Sequence, residues 1–550
     1  MKKRLSLLLA LALCVSLLAG CGGTQAAAPA AAAPAAPAQS ETAPAAPAAE
    51  PAAAPESTDG YAIEVLNYRS EGDFGGPNPF RHSTRGPGST KMAHVFDSLL
   101  QAGTKDWIPW LAEEWSLSDD GLKYSFKLHE DALWHDGQPV TADDVAFTID
   151  YYGKYPNSNG NLGTADASII DHYEVTGEHS IDIYVKQATI TNTSNVGSFP
   201  IIPRHIWENV DDPYNYDGDD KYVGCGMYKF VSYDNATGAY QFEAFEDYYG
   251  YHAAAHYLNY FMVSDTILAF ENGDIAITDV SADLFDMYAA RDDIAMIPKN
   301  DEMGFRLMLN MDRVPAFRDV EVRAALYKAL DRQAMVDSMF QGLGHIASAG
   351  YVPQTNKEYN DAVVKYDYDP DAAKAVLEPL GLNVRLVIGQ DTPNEGTLGE
   401  RLKLDLEAAG LTVNVESYDV ATRDAMSADG DYDLLLTYHG GWNAEPVSML
   451  KAIYGAPAGS GSKWAPHGYE NPEPTALINS IPTTIDPTEL REKYDQAQLL
   501  ISQEIPQLPL ITQVSYAMYR PAEYDCWKAS FNSTQFSNSR LSYTVNDPAL

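Results

Sequence analysis

The sequence has 550 residues, which leaves room for several domains or for one large body of two lobes. Its 37 Lys and Arg residues against 77 Asp and Glu residues give a net charge of −40, and this charge opposes binding to nucleic acid over any large surface. Hydrophobic residues make up 45% and charged residues 21%, as in a globular chain rather than a disordered or membrane-spanning one.

The first segment has the features of an export signal. Three basic residues precede an apolar run from Leu5 to Leu18, which is shorter than the ~20 residues of a spanning helix but suits a signal-peptide core. The run ends in Leu18-Ala19-Gly20-Cys21, which resembles the lipobox of bacterial lipoproteins. That resemblance implies that residues 1–20 are a signal peptide and that Cys21 is lipidated, anchoring the protein to the outer face of the cytoplasmic membrane, at the cell surface or in the periplasm. The alternative is a simple secreted protein with an incidental cysteine.

Residues 21–59 consist of the predicted lipidated cysteine and a linker rich in Ala and Pro. Such a composition cannot bury a core and favours extended polyproline II structure at about 3.1 Å per residue. We therefore predict a stalk on the order of 100 Å that holds the folded body away from the lipid.

The first half of the folded part favours strands. Lys123–Leu128 and Ile181–Val185 alternate apolar and polar residues, which is typical of half-buried strands. Between them, Thr141 and Asp144 resemble a capping box, so a helix is predicted to begin at residue 142.

The second half mixes helices and strands. An apolar stripe predicts one helix over 320–340, with Asp319 at its start, and further helices are predicted over 398–409 and 488–504. Short apolar strands are predicted at 384–388, 413–415 and 433–436. This mixture indicates an α/β fold, with a β-rich lobe built early and an α/β lobe over about 310–511.

The sequence contains fragments of motifs for catalysis and cofactor binding, but each lacks the neighbouring element or residue that the motif requires. The glycine pattern from Gly342 to Ala347 follows a predicted helix instead of a strand, and His129-Glu130 lacks the second histidine of a zinc helix. The 35 Tyr and 8 Trp residues favour ligand binding instead. We therefore expect neither enzyme activity nor a cofactor or metal, while a secreted hydrolase on a stalk remains the alternative of another class.

Two cysteines remain once Cys14 has left with the signal and Cys21 has taken lipid. Cys225 and Cys526 could pair in an oxidising compartment, or they could be two buried thiols. The sequence leaves both alternatives open.

Several segments together resemble one family, the extracellular solute-binding proteins of the peptide and nickel class, which serve ABC importers. The segments that carry the resemblance are Asn78-Pro79-Phe80, residues 95–100, Trp110–Trp115, Trp134–Val145, Gly224–Tyr228, residues 319–332, Tyr368–Pro370, Gly440–Trp442 and Pro506–Leu510. They span roughly residues 61–520. Within them, His135, Arg323 and Arg332 are expected to be structural, with both arginines paired to carboxylates.

The resemblance implies a bilobal fold of the type II periplasmic-binding-protein kind, with an extra inserted subdomain and a ligand enclosed between the lobes. Lobe I would comprise residues 61–98, 222–309 and 512–550, with 99–221 as the inserted subdomain. Lobe II would comprise residues 310–511. The expected partners are the ligand, the ABC permease and the membrane, and we expect a monomer.

The resemblance also suggests where the ligand binds. The predicted pocket residues are Trp442 as a stacking surface, Asn443, Glu445, Tyr438, His439, Trp464, His82, Arg85 and Ser89. The expected ligand is an oligopeptide or a similar polar solute. Peptide receptors of this family often carry an acidic residue shortly after the Gly-Trp pair, and the run from Gly441 to Pro446 is shorter than that pattern. The alternative ligand within the family is a nickel chelate, to which His82, His439 and His467 would offer imidazoles.

Overall fold

The computed structural model describes residues 60–70, 75–82, 87–158, 160, 162–163, 167–390, 393–439, 446–455, 463–531, 536 and 539–545. Among the helices in these ranges, none combines the length and the apolar character that a membrane span requires. The predicted signal peptide, Cys21 and the linker lie outside the described residues.

The strands of the described ranges form four sheets. The first sheet has the order β1 (Ile63–Arg69), β10 (Ala255–Phe261), β9 (Ala239–Ala244) and β8 (Tyr228–Asp234). A two-stranded ladder joins β2 (Leu100–Ala102) and β3 (Trp107–Pro109). The third sheet has the order β4 (Ala112–Leu117), β5 (Lys123–Leu128), β7 (Ser180–Val185) and β6 (Ile170–Gly177). The largest has seven strands in the order β11 (Ile277–Val280), β17 (Gln507–Tyr519), β12 (Ala295–Leu309), β16 (Leu434–His439), β14 (Asn383–Gly389) and β15 (Thr412–Tyr418), with β13 (Gly344–Ile346) also paired to β17.

Helices occupy the connections between these strands. They are α1 (Pro87–Val95), α2 (Ala142–Lys154), α3 (Asn192–Gly197), α4 (Arg204–Trp207), α5 (Thr266–Asn272), α6 (Ala282–Ala289), α7 (Val320–Ala329), α8 (Arg332–Phe340), α9 (Pro370–Leu377), α10 (Pro393–Ala408), α11 (Val420–Asp429), α12 (Pro446–Tyr454), α13 (Pro472–Ser480) and α14 (Pro487–Glu504). Short 3₁₀ helices lie at Asp219–Tyr222, Pro315–Arg318, Glu378–Leu380, Ile481–Thr483 and Arg540–Tyr543.

Two long strands, β12 and β17, run side by side through the seven-stranded sheet. Near one end, residues 295–299 of β12 pair with 515–519 of β17, which also pairs with β11. At the other end, residues 303–308 pair with 507–513, and β16 adds to β12 there. The register shifts between Lys299 and Met303 and again between Phe305 and Arg306, so the ribbon contains two irregularities.

Side chains alternate across β12, because successive residues of a strand point to opposite faces of its sheet. Phe305, Leu307 and Leu309 belong to a buried cluster with residues of α7, α8 and α10. Arg306 and Met308 therefore point to the other face, where Met308 is buried with Tyr432. The sheet is covered on both faces, which is the layered arrangement of an α/β lobe.

The helix predicted over 320–340 is two helices. The α7 helix ends at Ala329, and Leu330 has an extended backbone with ψ of 116°. The side chain of Asp331 then accepts a hydrogen bond from the backbone N–H of Ala334 and caps α8. The apolar stripe is buried as predicted, and an N-cap aspartate in its middle interrupts the backbone.

Candidate functional site

The candidate site is built at the end of the seven-stranded sheet where β14, β15 and β16 finish. These three strands run parallel, so their carboxyl ends meet at one edge, the usual place for ligands in α/β sheets. Arg306 on the neighbouring antiparallel strand β12 lies opposite Thr437, and Gly304 lies opposite the last residue of β16, His439. Arg306 is thus placed two residues from this edge.

Arg306 is fully buried, with 0% of its surface exposed. Within the described residues, none of its three guanidinium nitrogens has a hydrogen-bond partner, and no ion pair to it is found there. The ring of Trp464 lies beside it, with its centroid 5.0 Å from the guanidinium carbon. Burial lowers the pKa of Arg306.

Three tyrosines interact electrostatically with Arg306. They are Tyr351, Tyr432 and Tyr454, and all three are buried. Burial raises the pKa of each of their hydroxyls, so that they stay neutral. These tyrosines provide a polar, uncharged wall and do not balance the charge of Arg306.

The backbone around Trp464 is fixed from two sides. The amide of Gln507 donates to the carbonyl oxygen of Trp464 at 2.7 Å, and the hydroxyl of Ser427 donates to the carbonyl oxygen of Lys463 at 2.6 Å. The ammonium of Lys463 pairs with Asp424 at 2.6 Å and lies 4.7 Å from the Trp464 ring. The partly buried indole of Trp464 therefore contacts two cations, of which only Lys463 has a carboxylate partner.

Tyr438 lies on the opposite face of the sheet from Trp464. Its ring centroid is 6.2 Å from that of Phe305, and the guanidinium of Arg423 lies 5.7 Å from it. Arg423 in turn forms a buried ion pair with Glu395 at the start of α10. The structure therefore places both Tyr438 and Trp464 near the edge of the sheet but does not bring them together on one face.

His82 is buried in the segment before α1, with 1% exposure. Its ring nitrogens lie 3.0 Å from the carbonyl oxygen of Gly75 and 2.7 Å from that of Gly88. Burial lowers the pKa of the imidazole. These contacts tie His82 to the backbone of its own segment.

The other predicted pocket residues cannot be placed in the same detail. Trp442, Asn443, Glu445 and Arg85 lie outside the described residues. His439 ends β16 and Ser89 lies within α1, but their side chains are also outside the description. All six remain predictions.

Sequence reasoning missed Arg306. The signal was present, because Phe305-Arg306-Leu307-Met308-Leu309 is an apolar strand interrupted by one cation. Buried arginines are rare unless they are paired, so a charge inside such a run indicates either a partner or a ligand.

Both cysteines of the predicted alternatives lie in the described part of the chain. Cys225 and Cys526 are both buried, and neither forms a disulfide. Burial raises the pKa of the Cys225 thiol well above its ordinary value, so it is not a reactive thiolate.

The expected carboxylate pairing of Arg323 and Arg332 is corrected in part. Arg323 donates to the backbone carbonyl oxygen of Glu504 at 2.9 and 2.6 Å, and its ion pair to the carboxylate of the same residue is longer, at 3.6 Å. Arg332 donates to the carbonyl oxygen of Tyr366 and stacks 4.0 Å from the ring of Tyr327. Backbone carbonyl oxygens thus supply most of the hydrogen-bond acceptors of these two arginines.

Comparison with known proteins identifies the family. The sequence profile described as "Bacterial extracellular solute-binding proteins, family 5 Middle" matches residues 106–461. The chain is 25% identical over 537 residues to Di/tripeptide-binding protein 1 of Pseudomonas aeruginosa, covering 88% of this chain and 95% of the relative. It is 26% identical over 461 residues to Heme-binding protein A of Haemophilus influenzae, covering 78% and 83% respectively.

A solved structure supports the same assignment at the level of the fold. NikA from Brucella suis in complex with Fe(III)-EDTA superposes with a TM-score of 0.72 at 20% identity, over 86% of this chain and 99% of that chain. The fold is α/β and bilobal, as the sequence predicted. The chain belongs to the bacterial extracellular solute-binding proteins of family 5, the solute receptors of ABC importers.

Proposed function

We propose that this protein captures an oligopeptide or a similarly sized polar solute between its two lobes and delivers it to a transmembrane permease. The observation that carries the proposal is the family match over 106–461 together with the peptide-binding relatives. The sheet edge formed by β14 and β16 supports it, since it gathers aromatic rings, neutral hydroxyls and a buried cation where α/β folds bind ligands.

The division into lobes is part of this proposal. Lobe I comprises residues 61–98, 222–309 and 512–550 with the inserted subdomain 99–221, and lobe II comprises 310–511. The β12 and β17 ribbon joins the two. Because Phe305, Leu307 and Leu309 pack with α7, α8 and α10, the register shift between Lys299 and Met303, a few residues before the boundary drawn from the sequence, is a suitable place for the change in backbone angle that lobe closure needs. Closure would exclude water and strengthen the polar contacts that hold the ligand.

Membership of an extracellular family is consistent with export of this chain. Within that setting, we propose that Cys21 carries the lipid anchor and that the Ala/Pro-rich linker spans from the membrane to the folded body. The short apolar core before Cys21 and the lipobox-like sequence support this proposal.

A chelated metal or another small solute is the second candidate ligand. Relatives favour it, because one curated relative is a heme-binding protein and one similar structure holds Fe(III)-EDTA. Such a ligand would be recognised through its organic part by the same kinds of side chain.

Native mass spectrometry of residues 60–550, purified gently from the producing cell, tests the function. Peptides released on denaturation at about one per protein would support the peptide proposal. A released metal chelate would support the second candidate. Cleavage of added peptides by the purified protein would contradict both and indicate a hydrolase.

A further inference from the structure

Arg306 differs from the other buried arginines of the described chain. Arg540 donates to the carboxylate of Asp97, Arg423 to that of Glu395, and Arg323 and Arg332 donate to backbone carbonyl oxygens. Arg306 alone among these five has all three guanidinium nitrogens buried without an acceptor.

An isolated charge inside a protein is strongly unfavourable, and buried charges are normally paired or bind ligands. Stacking on an aromatic ring, such as that of Trp464 at 5.0 Å, compensates only a small part of this penalty. A fold that keeps the guanidinium in such a place therefore favours any anionic group that can reach it.

The geometry points to a carboxylate of the transported solute as that group: we propose that Arg306 binds it at the edge of the seven-stranded sheet, with Trp464 as the side chain that moves aside. This inference rests on the proposed function and names the chemistry of the solute. The planar fork of a guanidinium matches the two oxygens of a carboxylate. Two parallel hydrogen bonds would give acceptors to Arg306 nitrogens that have none among the described residues.

Access requires a rotation of one side chain. The backbone at Trp464 is fixed by Gln507, and that at Lys463 by Ser427, while the indole is only partly buried. Turning the indole away would uncover Arg306 without breaking either backbone contact. The neutral hydroxyls of Tyr351, Tyr432 and Tyr454 interact electrostatically with the guanidinium and would not repel the incoming anion.

A carboxylate on a peptide comes either from its C-terminus or from an acidic side chain. Calorimetry with a set of tripeptides, each prepared as the free acid and as the C-terminal amide, with and without a Glu side chain, distinguishes these sources. The proteins to compare are the unmodified chain, Arg306→Met, Arg306→Lys and the control Lys451→Gln, which removes an exposed cation from the nearby helix α12.

We expect the Arg306→Met protein to bind the preferred free acid at least about tenfold more weakly, because loss of one partner of a buried charge pair mainly affects affinity. The same protein should unfold at the same or a higher temperature, since replacing a buried charge by an apolar side chain of similar volume is neutral or stabilising. Arg306→Lys should bind with intermediate affinity, and Lys451→Gln should behave as the unmodified chain.

Equal affinity of the unmodified chain for peptides with and without a carboxylate would overturn the inference, as would unchanged binding by Arg306→Met. If Arg306→Met fails to fold, the comparison of acids, amides and Glu-containing peptides on the unmodified chain decides. If no tripeptide binds, tripeptides are excluded as ligands and the peptide part of the proposed function is contradicted instead. Succinate then tests Arg306 separately: a rise in unfolding temperature that Arg306→Lys reduces supports the carboxylate site, and no rise overturns it.

Discussion

The carboxylate of Asp97 accepts a hydrogen bond from Arg540, which lies 443 positions further along the chain. The same carboxylate accepts hydrogen bonds from the indole of Trp110 at 3.0 Å and from the hydroxyl of Tyr248 at 2.9 Å. Asp97 is completely buried. One acidic side chain therefore joins the segment after α1, the segment around Trp110, the segment around Tyr248 and the segment around Arg540.

Replacing Asp97 by Asn should destabilise the protein strongly, because the charge of Arg540 would remain buried without its counterion. We expect a loss of about 3–5 kcal/mol in the free energy of unfolding, as for other broken buried pairs. Urea denaturation followed by fluorescence measures it. The control is Asp211→Asn, since the Asp211 side chain is 99% exposed, and it should change stability by less than about 0.5 kcal/mol. Similar stabilities for both variants would contradict the assignment.

His135 should make stability depend on pH. Its Nε2 lies 2.8 Å from the carbonyl oxygen of Gly226 and its Nδ1 accepts from the N–H of Gly224, and burial lowers its pKa from 6.5 to about 4. Because the unfolded chain takes up the proton first, the contribution of His135 is complete above pH 6.5 and is lost as the pH falls toward 4. The ring is partly exposed, so the loss should be smaller than the about 3 kcal/mol that this shift would give in full.

Unfolding free energies measured between pH 7 and 4 for the unmodified chain and for His135→Gln check this. The variant should lose less stability on acidification than the unmodified chain. The control is Gln138→Ala, which removes an exposed side chain that does not titrate, three residues from His135. Identical slopes for His135→Gln and the unmodified chain would show that other groups control the acid response.

Trp442 is predicted to stack on the ligand. Its replacement by Ala should weaken binding of the co-purified ligand by about 1–3 kcal/mol in free energy, the range expected for loss of a large aromatic contact. Calorimetry on the folded variant measures the effect. Trp115→Ala, which removes a partly buried tryptophan from β4, is the matched control. Unchanged affinity in Trp442→Ala would exclude this residue from the site.

Cys21 is predicted to carry the lipid. Cys21→Ser should move the protein from the membrane fraction to the soluble fraction and abolish incorporation of labelled fatty acid. Two acyl chains are needed for stable anchoring, which explains why loss of the attachment residue releases the whole chain. Cys14→Ser, within the predicted signal core, should keep the protein on the membrane. A membrane-bound Cys21→Ser protein would refute the anchor.

Thiol titration tests the state of the remaining cysteines. Protein denatured without reductant should give two thiols per chain, from Cys225 and Cys526, after removal of the signal peptide and lipidation of Cys21. Native protein should react slowly, because both side chains are buried. No free thiol after denaturation would indicate a disulfide.

Local patterns predicted the regular elements well. Lys123–Leu128 is a strand with the predicted bounds, and the predicted box at Thr141 and Asp144 caps α2. These features depend on neighbours in sequence, namely strand alternation and a side chain reaching three residues ahead. The break at Asp331 was missed because the apolar stripe continues across it, and the capping side chain decided the backbone there.

Local sequence patterns predicted the candidate site less well than the fold. Tyr438 and Trp464 were both predicted as pocket residues from the sequence. Tyr438 lies beside Phe305 and Trp464 beside Arg306, and these two neighbours on β12 point to opposite faces of the sheet. Arg306 was overlooked since its significance depends on the absence of an acceptor in three dimensions, which sequence spacing does not show. Fold follows largely from local pattern, whereas the charge balance of a pocket depends on contacts between distant segments.

The position of β17 in the seven-stranded sheet has a consequence for how this protein reaches its destination. The strand begins at Gln507 yet lies between β11 and β12, so it fills the middle of a sheet whose other strands are synthesised earlier. Until those residues leave the ribosome, β11 and β12 lack the strand between them, and the backbone groups that face β17 remain unpaired. The nascent chain therefore cannot complete this sheet until residues 507–519 are available, a condition that suits threading through a narrow secretion channel.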